Sequence, residues 1–310
     1  MLISAVAYSL FAVFSKDVLA DGLRPTDLVV WRFCIAVPVA WLVVGLRSRR
    51  GGPRATDAPI VPMLGLGVLF GLLALLAFAG LDHLPAALYT VVIYTYPTMV
   101  AVGAWMLGRP APLALWGALI VTMAGIALTV PEVFSSNDAD VTGLVLTLLN
   151  AAFYAVYVLV SGRLMEHREH RPRRFDGLVA STWSLTGSLL FAAGIALFTD
   201  VRGPSSWRAL AGLTGLAVIS TVLAGSALML GLTSLTPATA ATIATLEPVL
   251  TLVWAVLLLG ETLGAVQIVG AGLVLVGVAW AQRTQGAEPV HVLPPDATAG
   301  VDALDLAPRG

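Results

Sequence analysis

Ten apolar runs, each about as long as a helix needs to cross a lipid bilayer, fill almost the whole chain. Few folds survive that constraint. Inside hydrocarbon every backbone N–H and C=O must be paired within the protein, so only helices or a closed barrel can span it, and runs of this length are helices. The runs are Leu2 to Leu19, Leu28 to Leu46, Ile60 to Leu81, Pro85 to Leu107, Leu113 to Val130, Val141 to Leu164, Gly177 to Phe198, Trp207 to Thr233, Pro237 to Leu259 and Leu263 to Trp280. Composition agrees: 58% of residues are apolar and 11% charged, against roughly 25% charged in soluble domains. The sequence therefore predicts an all-α integral membrane protein with ten transmembrane helices. A net charge of −1 offers no basic field for nucleic acid. The single cysteine, Cys34, excludes an intrachain disulfide and a multi-cysteine metal site, and reads as a small core residue.

With the N-terminus placed in the cytoplasm, twelve basic residues fall in the inner links and tail and four in the outer links. That asymmetry puts both termini inside the cytoplasmic membrane. The first run has no basic leader and no clear cleavage site, so it does not read as a signal peptide. It resembles the sixth, with Tyr8 against Tyr154 and Ser15 against Ser161, but is a turn or two shorter; the start of the protein is expected upstream of Met1. Residues 283–310 form a polar, proline-bearing tail, expected to be disordered in the cytoplasm.

The ninth run carries one acid near its midpoint, Glu247, followed by Pro248. An acid at a helix centre costs roughly 2.5–3.5 kcal/mol to insert, and such residues usually face a bundle interior or a wet cavity. A carboxyl there suits a proton carrier, a site for a substrate ammonium, or a structural hydrogen bond between helices. Pro248 cannot donate to Ala244, so a kink is expected beside the acid. In the fourth run Tyr96 and Pro97 stand in the matching places.

That match is one of several. Leu84-Pro85-Ala86 is similar to Leu235-Thr236-Pro237-Ala238, Leu107-Gly108 to Leu259-Gly260, and Gly117 with Gly125 to Gly270 with Gly277. Residues 1–130 and 141–282, joined by an outer loop at 131–140, thus read as two five-helix repeats. Five is odd, so the second repeat enters the membrane inverted. Inverted repeats place a solute site at mid-depth between the halves and permit alternating access.

The run Leu246-Glu247-Pro248, Leu257-Leu258-Leu259-Gly260-Glu261 and Gln267-Ile268-Val269-Gly270-Ala271-Gly272-Leu273, with Trp31-Arg32-Phe33, resembles the EamA-type transporters of the drug/metabolite transporter superfamily. The resemblance implies ten helices in two repeats and movement of small organic solutes, often outward. The usual Trp-Gly pair of the first helix appears here as Tyr8-Ser9.

Candidate substrate- or proton-binding residues are Glu247, Tyr96, Arg32, Tyr154 and Trp183, with Pro97 and Pro248 as gating kinks. Arg32 can attract a carboxylate, pair with an acid, or snorkel to the interface. Tyr89 and Tyr96 share a helix face, with Tyr94 pointing elsewhere; they and Tyr154 line a cavity or pack as aromatic core. Trp183 can stack on a solute or pack in the core. Glu261 reads as a capping or loop acid, and Gly270, Gly272 and Gly277 as close packing within the monomer or at a homodimer face. His167 and His170 lack further ligands, so no metal or other cofactor is expected. The reading is a secondary transporter that exports a small organic solute by alternating access, with protons as a candidate coupling ion and the lipid bilayer as its solvent. An uncoupled facilitator, a polytopic enzyme and a non-transporting scaffold are the alternatives.

Overall fold

The computed structural model describes residues 1–11, 14–15, 18, 21–84, 86–108, 112–129, 140–165, 175–259 and 264–285. Glu261, His167, His170, the outer loop at 131–139 and the tail beyond 285 lie outside them. Among the described residues are thirteen α-helices: α1 Leu2–Ser9, α2 Pro25–Arg49, α3 Ile60–His83, α4 Ala86–Ile93, α5 Tyr96–Met106, α6 Leu113–Thr129, α7 Val141–Met165, α8 Gly177–Ala196, α9 Trp207–Ala217, α10 Ala224–Gly231, α11 Pro237–Ala244, α12 Glu247–Leu259 and α13 Ala265–Gln285. A π-helical segment, Val218–Leu223, joins α9 to α10. Among the described residues five helical stretches are long and apolar enough to cross a membrane: Pro25–Arg49, Ile60–Ala77, Val141–Met165, Gly177–Ala196 and Trp207–Gly231.

Helix starts follow local chemistry. Asp176 accepts from the amides of Leu178 and Val179, 2.9 and 3.1 Å, to open α8. Ser206 accepts from Ala209, 3.1 Å, to open α9, and Thr236 caps α11 just before Pro237. The last helix reaches Gln285, so Arg283 belongs to its final turn and not to the tail.

The expected kinks are breaks. The fourth apolar run divides into α4 and α5 at Tyr94–Thr95, and the ninth into α11 and α12 at Thr245–Leu246. Each proline lies in the first turn of a new helix, where a missing N–H costs little. The ends of α4 and α11 tighten through i→i+3 bonds, and two threonine hydroxyls cap them: Thr95 Oγ1 donates to Val92 O at 2.7 Å and Thr245 Oγ1 to Thr242 O at 2.6 Å.

Small residues set the tightest crossings. A Cβ on Gly125 would fall 2.7 Å from Val274 N, and one on Gly270 would fall 2.7 Å from Gly125 O. Gly277 meets Thr122 and Ala118 in the same way, so α6 and α13 touch through backbone. Gly270 and Gly277 are thereby used within the monomer, whereas Gly272 faces open space. Gly67 and Gly187 form the equivalent contact between α3 and α8. Helix α3 also packs on α7, α2 on α8, α5 on α7 and α11, and α1 on α10, α12 and the π segment.

Links at each end are tied to one another. At one end buried Asp27 accepts from Arg24 Nε and Nη2, 3.1 Å each, and from the Arg202 amide, 3.1 Å. There Trp31 Nε1 donates to Arg202 O at 2.9 Å, and Arg24 donates to Asp200 O. At the other end the Asp176 amide donates to Asp57 O, 2.9 Å. Cys34 is exposed on the outer face of α2, not in the core. A lipid-facing position is as apolar as a buried one, which is why an apolar run could not separate the two.

Candidate solute site

The acid begins α12, with its own peptide at the N-terminal end of that half-helix. The partial positive charge of a helix N-terminus favours an anionic group there. Glu247 is only partly exposed, while Pro248 and Val249 behind it are buried. The Tyr94 side chain lies beside its carboxyl group. Tyr94 was expected to point away, but the break at Tyr94–Thr95 resets its direction relative to α5, and a face count through an unbroken helix misses that.

Five of the six tyrosines share the neighbourhood of the acid. Tyr8, Tyr89, Tyr94, Tyr96 and Tyr154 all lie within electrostatic reach of Glu247. They come from α1, α4, the break, α5 and α7, so the acid sits where those elements converge. Asn150 Nδ2 donates to Tyr89 Oη at 3.1 Å and fixes one of them. Tyr94 and Tyr96 were thus brought together with Tyr154 and Glu247, and Tyr8 and Tyr89 join them.

The rings continue as a wall. Centroids are 6.3 Å apart between Tyr94 and Tyr96, 4.6 Å between Tyr96 and Tyr154, and 6.1 Å between the stacked Tyr154 and Tyr157. Phe70 follows at 5.4 Å from Tyr157, and Phe33 at 6.1 Å from Phe70. Arg32 stands at that far end, its guanidinium carbon 5.6 Å from the Phe33 centroid and 5.8 Å from that of Phe70. An acid and a cation therefore close the two ends of one aromatic wall. Tyr8 lies within electrostatic reach of both.

Arg32 is 6% exposed, which excludes snorkelling to the interface. Its Nε donates to Thr221 Oγ1 at 2.7 Å, and Nη2 to Ser220 O at 3.5 Å. Both acceptors belong to the π segment. Thr221 in turn donates to Leu216 O, five residues back, at 2.8 Å, and Ser220 Oγ donates to Ala7 O at 2.7 Å. No periodicity in an apolar run announces a π turn, so Ser220 and Thr221 were missed. Tyr8 had a signal, its alignment with Tyr154.

Helix α1 is fastened on two sides. Ser4 Oγ donates to Ala224 O at 2.9 Å, while Trp254 Nε1 donates to Ser9 Oγ at 2.8 Å. Trp183 is not part of this arrangement. Its Nε1 donates to Ala55 O at 2.8 Å and its ring meets Trp41 edge-on at 4.9 Å, so it packs a helix against the link at 50–59. Among the described residues no cluster of three or more metal-ligating side chains occurs.

An apolar helical bundle with two broken helices, an acid at one break and polar groups gathered at mid-bundle defines a multi-pass membrane protein built to handle small solutes. The chain belongs to the EamA-like transporter family, whose model matches residues 1–130 and again 141–282. It is 25% identical over 287 residues to the uncharacterized transporter YcbK of Bacillus subtilis, covering 88% of each chain. It is 28% identical over 217 residues to the threonine/homoserine exporter RhtA of Escherichia coli strain K12, covering 69% of this chain and 68% of that one. One crystal structure superposes with a TM-score of 0.73 at 20% identity, covering 91% of this chain and 94% of the other, and shares its fold. The protein is a membrane transporter of small solutes.

Proposed function

We propose that the chain is a secondary transporter that exports a small organic solute, a metabolite, amino acid or drug, across the cytoplasmic membrane by alternating access. The observation that carries this reading is Glu247 at a helix break, with five tyrosines within its electrostatic reach and still partly exposed. Glu247, Tyr96 and Tyr154 would contact the solute or an exchanged proton. Tyrosine faces attract a cationic group and Glu247 supplies its counter-charge. The relative named for threonine and homoserine export makes amino acids the first solutes to try.

Ten spans in two inverted repeats fit the packing. The pairings of α3 with α7 and α8 have counterparts in the pairings of α10 with α1 and of α9 with α2, and α6 pairs with α13. The breaks before Pro97 and Pro248 would serve as the two gates, and both termini would lie in the cytoplasm. A homodimer would have to use a face other than Gly270 and Gly277, which are covered within the monomer.

Solute flux into inside-out vesicles, with and without an imposed proton gradient, tests the reading. Concentrative uptake that collapses with the gradient supports a coupled exporter. Gradient-independent equilibration favours the uncoupled facilitator, and no flux across a broad metabolite and drug panel would reject transport by this site.

A further inference from the structure

Among the described residues no carboxylate answers the charge of Arg32. A charge removed from water without a partner is costly, and inside a membrane bundle such a group marks a function. The ion pairs Arg24–Asp27 and His83–Asp140 do not involve Arg32. Guanidinium has five N–H donors. One goes to Thr221 and one, at the limit of bonding range, to Ser220 O. Phe11, Phe33 and Phe70 collar the group, with Phe11 nearest at 5.3 Å. Their faces steady a cation, but they bring no negative charge.

The group is also held in a fixed place. Thr221 is oriented by its own bond to Leu216 O, a bond that exists because the helix widens to a π turn there. Ser220 is anchored to Ala7 O. Nε is thus pinned on one side, while the charge lies within reach of Tyr8, the residue that also senses Glu247. A planar guanidinium is the shape that takes a carboxylate through two parallel bonds.

We propose that Arg32, pinned by the π segment, is a carboxylate subsite, and that the solutes handled here carry a carboxylate at the end opposite Glu247. This rests on the transport reading above and names the substrate class for that site. A solute lying along the aromatic wall sets its carboxylate at Arg32 and a cationic or polar group among the tyrosines.

The test uses the purified full chain in detergent and reads the unfolding temperature against added probe. The probes are L-threonine and L-phenylalanine, each paired with its methyl ester, which differs only at the carboxylate. Wild type should be stabilised by at least one free acid, with half-saturation at a concentration about tenfold or more below that of its ester. Arg32→Gln should erase the preference for acid over ester. Arg32→Lys and Thr221→Val, which keep a cation, should narrow it, and they decide the matter if Arg32→Gln does not fold. Equal response to acid and ester in wild type, or an undiminished preference in all folded variants, overturns the proposal. Flux in vesicles is read separately: flux without acid preference sinks the subsite alone, and acid preference without flux sinks the transport reading alone.

Discussion

Two glycines on α3, two residues apart, should respond in opposite ways to the same small change. Gly65 faces outward, and a Cβ added there meets nothing within 4 Å. Gly67 faces α8, where a Cβ would fall 2.7 Å from Gly187 Cα and 2.8 Å from the Ser184 carbonyl carbon. Those are backbone atoms, so relief requires the helices to part, and the Ser188 Oγ bond to Gly67 O at 2.9 Å resists it. Gly→Ala inside a helix gains roughly 0.5–1 kcal/mol from backbone entropy. Overpacking a tight contact costs about 1–3 kcal/mol. The entropy gain is common to both variants, so their difference isolates the contact at about 1–3 kcal/mol. Unfolding in a denaturing detergent titration, followed by the fluorescence of the eight tryptophans, measures it. Gly65→Ala should be neutral or more stable, and Gly67→Ala less stable than wild type. Equal shifts for the two would refute the close crossing of α3 and α8.

Other expectations follow from the same geometry. Pro248→Ala should change stability by under about 1 kcal/mol, since Pro248 sits in a first helical turn, yet slow flux several-fold by letting α11 run into α12; a gain near 3 kcal/mol would instead mean an interior proline. A double-mutant cycle of Asn150→Ala and Tyr89→Phe, read by unfolding, should show coupling of about 0.5–1.5 kcal/mol, and zero coupling would remove that bond. Asp140 is held below the usual carboxylate range, first by the Thr142 amide and then by His83. A depressed carboxyl stabilises the fold above its unfolded pKa of about 4 and loses that contribution as pH falls below it. Wild type should therefore lose stability between pH 5 and about 3 more steeply than Asp140→Asn; parallel pH curves would contradict this.

The sequence disclosed the helical class and the acid within an apolar run because lipid makes both conspicuous: a polar group in an apolar run stands out, and spans have a fixed length. The break beside Pro248 was visible as a proline, but not its form, because whether a proline kinks a helix or starts a new one depends on how the preceding turn closes. Thr95 and Thr245 decide that, through bonds to carbonyls three residues back. Tyr94 was misplaced for the same reason. Cys34 and the glycines show the other limit. Lipid and core are equally apolar, so composition could not tell that Cys34 faces out or that Gly270 faces α6. The π segment left no trace in the pattern, and with it went the explanation of how Arg32 is held.

The most direct test of Glu247 at the centre of transport compares solute flux by wild type and Glu247→Gln across a range of pH, in vesicles holding equal amounts of folded protein. The account predicts flux in wild type and its loss, or a flattened pH profile, in the variant. A Glu247→Gln protein that transports at an unchanged rate with an unchanged pH profile would contradict it.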